Sequence, residues 1–264
     1  MKSLDLKHPK DLNEKINYLK FHADMHVWAK LADKYAVREH VKEKGLANIL
    51  VPLYGKWDNT DHLLHDWNSL PQKFVLKTNN SCGTILVIKD KNSANLPALK
   101  EKLDSWLNKK DIGIDTVELH YALIKPCIIA EGLLEDPSVT SFSRSLIDYK
   151  IWCFDGKPFY CFVGYDREIG GAHHIFDMYD LDWNERTELM RDKTPRHLIP
   201  RPKNWERMKE IAAALSAGHP QMRVDLYNID GKIYFGELTM TAQGGYIDYY
   251  TDECLLEMGR QFRV

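Results

Sequence analysis

Residues 221–241 read Gln-Met-Arg-Val-Asp-Leu-Tyr-Asn-Ile-Asp-Gly-Lys-Ile-Tyr-Phe-Gly-Glu-Leu-Thr-Met-Thr. Two β-prone runs flank Asp230-Gly231, a strong hairpin signal. Each run carries a carboxylate near its outer end, Asp225 on the first and Glu237 on the second. A carboxylate in a mostly apolar strand is costly to bury without a partner, and two that face each other repel unless a cation sits between them. Oxygen-only ligands on a rigid hairpin suit Mg²⁺, which takes one or two carboxylates and leaves phosphate oxygens to complete the octahedron. Arg223 and Thr239 are further polar groups beyond the two acids. The alternative is an edge hairpin whose acids are simply solvated.

Register separates these readings. A two-residue Asp230-Gly231 turn pairs Asp225 with Gly236 and sends Glu237 to the opposite face, because side chains alternate and one residue of slip reverses the faces. A three-residue loop of Ile229, Asp230 and Gly231, with the glycine left-handed in a G1 bulge, instead puts Arg223, Asp225, Phe235, Glu237 and Thr239 on one face. The metal reading therefore expects the bulged turn.

The remaining composition is that of an ordinary globular chain, 264 residues with 44% hydrophobic and 28% charged side chains. That length suits one large domain or two to three lobes. A formal net charge of −2 leaves no nucleic-acid footprint. No stretch is apolar enough to span a bilayer, and residues 1–20 lack the apolar region of a signal peptide. The five cysteines are odd in number and form no Cys-x-x-Cys pair. This predicts reduced thiols in a cytoplasmic protein, without zinc site or disulfide framework.

From the N-terminus, apolar spacing predicts a helix over 11–22 and a second from about Val27 to Lys44, stopped by Gly45. Short strands are expected at 49–55, 73–77 and 85–88. Lys77 leads into the small polar turn 78–84, whose backbone N–H groups could hold phosphate oxygens. An amphipathic helix follows over 96–107, with Pro97 in its first turn. Cys127 to Ala130 forms a buried strand ending at Glu131. Residues 149–154 and 159–163 form a second hairpin about Asp155-Gly156. Lys150, near its start, either snorkels to the surface or serves a site. Residues 166–200 read as irregular and rich in charge, histidine and aromatics, long for a structureless connection. His173-His174 is a weak metal signal. Helices are expected at 205–215 and 253–262.

Four signals fall in a telling order: a strand lysine before a small polar loop, a strand ending in glutamate, a second strand lysine, and an Arg-x-Asp…Glu-x-Thr hairpin. This order resembles the ATP-grasp superfamily, and within it the TupA-like branch named for teichuronopeptide synthesis. The motifs are Lys30-Leu31-Ala32-Asp33-Lys34-Tyr35-Ala36-Val37-Arg38, Lys73-Phe74-Val75-Leu76-Lys77, Ile129-Ala130-Glu131, Tyr149-Lys150, Asp155-Gly156-Lys157-Pro158, Tyr179-Asp180-Leu181-Asp182-Trp183, and Arg223 through Thr239. They span nearly the whole chain.

The resemblance implies an α+β ATP-grasp fold with antiparallel sheets in two lobes and ATP between them. It implies an N-terminal helical region at 1–70, a lid lobe at 71–135 and a C-terminal lobe with the metal hairpin at 136–264. Carried onto this chain, it makes Lys77 and Lys150 phosphate ligands, Glu131 and Leu134 the adenine hinge, and Asp225 and Glu237 Mg²⁺ ligands. Thr239 stands where many such enzymes carry an asparagine ligand. Arg223 would neutralise phosphate charge, and Arg167 with His173 or His174 would hold an anionic sugar. The implied enzyme is an ADP-releasing carboxylate–amine ligase of bacterial surface-polysaccharide synthesis, using ATP and Mg²⁺. It would join a uronic acid to an amino acid or small amine, in association with polysaccharide-synthesis enzymes. The alternatives are a phosphotransferase or glycosyltransferase of the same pathway, or a non-catalytic nucleotide-binding partner of a synthase.

Overall fold

The structure is a computed structural model that describes residues 3–137, 143–166, 175–192 and 198–264. In chain order it forms helices α1 (Leu12–His22), α2 (Met25–Ala32) and α3 (Val37–Glu43), strand β1 (Leu53–Trp57), helix α4 (Thr60–His65), strands β2 (Phe74–Thr78) and β3 (Ile85–Ile88), helix α5 (Leu96–Leu107) and strand β4 (Ile128–Glu131). Strands β5 (Asp148–Phe154), β6 (Lys157–Tyr165) and β7 (Ile175–Tyr179), helix α6 (Trp205–Ser216), the hairpin β8 (Gln221–Ile229) and β9 (Lys232–Thr239), and helix α7 (Asp252–Gly259) complete it. The class is α+β, as expected. Among the described residues, no helix is long and apolar enough to cross a membrane.

The chain divides into two compact units, residues 25–39 with 50–134, and residues 1–24 with 40–49 and 135–264. The segment 1–70 thus contributes to both. The first unit holds a four-stranded antiparallel sheet in the order β1-β4-β2-β3. Its core packs Trp57, Leu63, Trp67, Phe74, Leu76, Leu99, Leu103 and Ile128 against one another. The apolar stripe of α5 supplies Leu99 and Leu103 at helical spacing, and Asn95 caps its start through the Ala98 N–H.

One expected helix is two. The run over 27–44 breaks after Ala32 because the Asp33 carboxylate accepts the backbone N–H groups of Tyr35 and Ala36. A short acidic side chain here satisfies backbone donors outside the helical pattern and restarts the helix as α3. Helical periodicity carries across the break, so apolar spacing alone did not reveal it.

The second unit is built on a five-stranded antiparallel sheet, β7-β6-β5-β8-β9. Helix α6 covers one face with Trp205, Met208, Ile211, Ala212 and Leu215. On β8, the Asn228 amide reaches the Met208 sulfur, so alternation turns Met222, Val224 and Leu226 toward α6 and Arg223 and Asp225 away from it. Strand β7 lies inside the segment read as irregular. Its five residues pair with β6, a long-range partnership that a short run cannot announce by itself.

The hairpin register is the decisive local feature, and it differs from expectation in mechanism. Ile229 pairs with Lys232, so Asp230 and Gly231 alone make the turn, with φ of 50° and 92°. Two left-handed residues are the signature of a type I′ turn. The extra residue lies instead within β9. Leu226 pairs with Phe235 and Asp225 with Glu237, leaving Gly236 as the bulge. The result is the expected facing of Asp225 and Glu237, reached by a bulge next to the acids rather than in the turn. A Cβ on Gly236 would lie 2.8 Å from the Asp225 carbonyl oxygen, which is why the bulge takes glycine. Gly236→Ala is therefore expected to cost about 1–3 kcal/mol of stability. Gly132→Ala, whose added carbon meets nothing closer than 3.4 Å, should stay within about 0.5 kcal/mol of wild type. Urea unfolding of the two variants checks this, and equal stabilities would refute the bulge.

Candidate active site

Within the five-stranded unit, register brings together one row of charged side chains. Lys150 of β5 pairs with Asp225 of β8, and Asp225 pairs with Glu237 of β9. In the neighbouring row, Trp152, Arg223 and Thr239 align. Asp225 lies at the centre and is 1% exposed. Arg223 grips it with both arms, Nε donating to Oδ1 and Nη2 to Oδ2, each at 2.7 Å. This planar fork is the strong form of an arginine–carboxylate pair. Lys150 Nζ donates to Asp225 Oδ2 at 2.7 Å and also to Asp148 Oδ2. Arg223 Nη2 further reaches Thr239 Oγ1 at 3.2 Å and Glu237 Oε1 at 3.5 Å. The cation between the two facing acids is thus the guanidinium, although the sequence suggested only a metal or open solvent.

Burial and charge act against each other in this cluster. Burial pushes the Asp225 carboxyl upward, but Arg223 and then Lys150 outweigh it and hold it below the usual carboxylate range. Burial also works against the Lys150 ammonium, yet Asp148 and Asp225 keep it above its ordinary value. Asp148 goes the other way. Its burial, reinforced by Asp225, raises it despite Lys150. One of its oxygens, Oδ1, is buried without a hydrogen-bond partner among the described residues. Asp148 was not singled out in the sequence. Its position two residues before Lys150, on the same strand face, is the signal that could have found it.

The donor set fits Mg²⁺ in kind. Asp225, Glu237 and Thr239 offer only oxygen, and one or two carboxylates suffice for this ion when phosphates supply the rest. No group of three His, Cys, Asp or Glu side chains is placed to hold a metal among the described residues. The Glu237 side chain is 38% exposed, and its Oε1 accepts from Thr239 Oγ1 at 3.4 Å. Asp225 and Glu237 balance Arg223 and Lys150 in formal charge, and Asp148, which burial pushes toward its neutral form, adds a negative charge only when it ionises.

The four-stranded unit brings together a second set. Lys77 on β2 and Glu131 at the end of β4 share a face, and Lys77 Nζ donates to Glu131 Oε2 at 2.7 Å. Arg38 Nη1 donates to the other oxygen, Oε1, at 2.9 Å. Leu134 follows three residues later and is half-buried. The polar turn after Lys77 is closed by its own hydroxyls. Thr78 Oγ1 and Thr84 Oγ1 lie 2.6 Å apart, and Ser81 Oγ lies 2.9 Å from Thr84 Oγ1. Asn79 fixes its base by accepting the Cys127 N–H at 2.8 Å. Arg167, His173 and His174 lie outside the described residues.

The ion pairs set a pH dependence. The Asp225 carboxyl is depressed in the folded state, so its contribution is present above the unfolded value of about 3.9 and is lost as pH falls through the lower folded value. Asp225→Asn leaves Arg223 and Lys150 buried without their shared counter-ion. It should cost about 3–5 kcal/mol at neutral pH, a deficit that shrinks in acid. Chemical unfolding of both proteins at pH 7 and at pH 3 measures this, and a deficit independent of pH would contradict it.

A family-level sequence model described as TupA-like ATPgrasp matches residues 14–263. No curated protein matches the chain. Among solved structures, a D-alanine–D-alanine ligase from Helicobacter pylori is 14% identical with a TM-score of 0.49, over 96% of this chain and 67% of that one. A D-alanine–D-alanine ligase from Bacillus anthracis complexed with ATP is 17% identical with a TM-score of 0.43, over 88% and 65%. A phosphoribosylamine–glycine ligase from Thermotoga maritima is 12% identical with a TM-score of 0.47, over 80% and 48%. The chain thus spans between 48% and 67% of the length of these three proteins. Because the family match runs over nearly its whole length, this chain belongs to the TupA-like ATP-grasp family.

Proposed function

We propose that the protein is an ATP-dependent carboxylate–amine ligase acting on a bacterial surface polysaccharide or its precursor. The observation that carries this reading is the row Lys150, Asp225 and Glu237 across three adjacent strands, with Arg223 beside it. Cations held by buried carboxylates on a rigid sheet are preorganised donors for phosphate oxygens. An apolar sheet has no structural need of them.

The chemistry follows from what a carboxylate lacks. As an anion it is a poor electrophile. Its oxygen attacks the γ-phosphorus of ATP, the bond to the β-phosphate oxygen breaks, and ADP leaves. The resulting acyl phosphate is attacked at carbon by an amine nitrogen, which loses a proton as inorganic phosphate departs and the amide forms. Lys150 and Arg223 are assigned to the phosphate oxygens of the transferring group. Asp225, Glu237 and the Thr239 hydroxyl are assigned to Mg²⁺, which would supply charge neutralisation and in-line alignment when bound. In the other unit, Lys77 is assigned to phosphate, and Glu131 and Leu134 to the adenine. Arg167 is assigned to the acid substrate, since a guanidinium fork matches a carboxylate. The acid is a uronic acid residue, and the amine an amino acid or small amine.

Two measurements test this together. MgATP should raise the melting temperature of the wild-type protein, because a ligand that binds only the native state stabilises it. Lys150→Ala should reduce that shift. ADP release, screened against uronic acids with small amines, should require both substrates. Glu237→Gln should fold with a near-normal melting temperature and lose most turnover, on the order of 10²-fold or more. Near-normal turnover in folded Glu237→Gln protein would sink the metal assignment. A thermal shift with sugar nucleotides but none with MgATP would point to a glycosyltransferase instead.

A further inference from the structure

The segment Asp33 to Arg38 is one of the longest family-like motifs in the chain, yet the proposed chemistry gives it no part. In the structure it grips the four-stranded unit at several points. The Lys34 backbone N–H donates to the Asn79 carbonyl at 3.1 Å. Its Nζ donates to the Ser81 carbonyl at 2.7 Å. Arg38, in the first turn of α3, donates to Glu131 Oε1 at 2.9 Å and to the Val51 carbonyl at 2.8 Å. Val51 lies just before β1 and Glu131 at the end of β4, where β1 and β4 pair through Leu53 and Glu131. One guanidinium therefore ties together the exit of β4 and the entry of β1.

The arrangement around Glu131 is asymmetric. Both of its oxygens are held by cations, Arg38 on one and Lys77 on the other. The Glu131 and Arg38 side chains are 9% and 13% exposed, whereas Lys77 is 25% exposed. The fork of Arg38 is fixed by two acceptors, while Lys77 Nζ meets the Glu131 carboxylate at the more open end of the cluster. With Glu131 ionised, the three groups carry one positive charge in excess, which suits an anion arriving at Lys77.

We propose that Arg38 is a positioning residue that acts as the permanent counter-ion of Glu131 and so frees Lys77 to exchange its carboxylate for a phosphate oxygen of the nucleotide. The inference rests on the nucleotide-binding reading above. Its physical basis is the cost of an uncompensated buried charge. If Lys77 turned to phosphate without Arg38 present, Glu131 would be stranded as a buried anion. Lys77 would then stay locked on Glu131. With Arg38 in place, Glu131 keeps a bidentate-capable partner whether or not Lys77 leaves, and its orientation at the hinge is preserved.

The test is a double-mutant cycle on the full chain, read by calorimetric titration with MgATP and by melting temperature without nucleotide. Arg38→Gln should weaken MgATP by about tenfold or more, equivalent to about 1.4 kcal/mol, while unfolding stays cooperative. Arg38→Lys, which keeps the charge, should recover most of the affinity. The discriminating arm is the Glu131→Gln background. A neutral amide cannot trap Lys77, so adding Arg38→Gln there should change affinity by less than about threefold. If Arg38→Gln alone does not fold, cooperative unfolding regained in the Arg38→Gln, Glu131→Gln double variant would support the counter-ion role, and failure of both variants to fold would overturn it. Unchanged affinity in folded Arg38→Gln protein, or an equal loss in both backgrounds, would overturn the proposal. Failure of the wild-type protein to bind MgATP would instead overturn the nucleotide reading itself, before any variant is made.

Discussion

A carboxylate that is 1% exposed, clasped by an arginine fork and a lysine, sets the terms for the five-stranded unit. Asp225 is tolerated at the centre of the sheet because Arg223 and Lys150 each lie 2.7 Å from its oxygens. Removing any one member leaves another charged and buried. The strands β5, β8 and β9 must keep their mutual register for the three to meet. A sheet of this size does not need such a cluster for stability, since well-packed apolar side chains would hold it as well or better. What the cluster adds is a set of oriented cations and acids with fixed partners.

The same logic recurs in the four-stranded unit with a different outcome. Glu131 is shared between Arg38 and Lys77, with one cation fixed by the backbone and the other facing more open surroundings. In both units a buried acid holds lysine and arginine in defined positions. The balance of charge differs, one positive charge in excess about Glu131, and about Asp225 two carboxylates set against Arg223 and Lys150, with Asp148 pushed toward its neutral form by burial. An anion suits the first, and the second offers cations for phosphate beside oxygen ligands for a divalent ion, as the proposed ligase chemistry requires.

Glycine placement is what makes the second arrangement possible. Without the bulge at Gly236, the two-residue turn at Asp230-Gly231 would put Glu237 on the α6 face, against Val224 and Leu226. The bulge restores the phase of β9 just where the acids begin. The residue that does this has no side chain, and its backbone lies against the Asp225 carbonyl. The turn glycine and the bulge glycine therefore have separate duties, one to permit a left-handed turn and one to permit a close backbone approach.

Much of this was legible in the sequence because it is local. The Asp-Gly dipeptides marked both hairpins, apolar spacing marked α5 and α6, and the order of lysines, glutamate and acids carried the family. Lys77, Lys150, Glu131, Asp225 and Glu237 stand out because charge inside apolar strands is costly and so conspicuous. What the sequence could not show was decided by tertiary structure. It placed the hairpin's extra residue at Gly236 rather than in the turn, since either position restores the same alternation. It split the second helix at Asp33, whose capping depends on side-chain geometry that periodicity does not see. It chose Arg223 as the cation between two acids, and it brought Arg38 to Glu131 across 93 positions of chain. Spacing along the chain encodes which face a residue takes. Which distant charge comes to meet it depends on how strands and helices pack, and that is settled only when the whole unit folds.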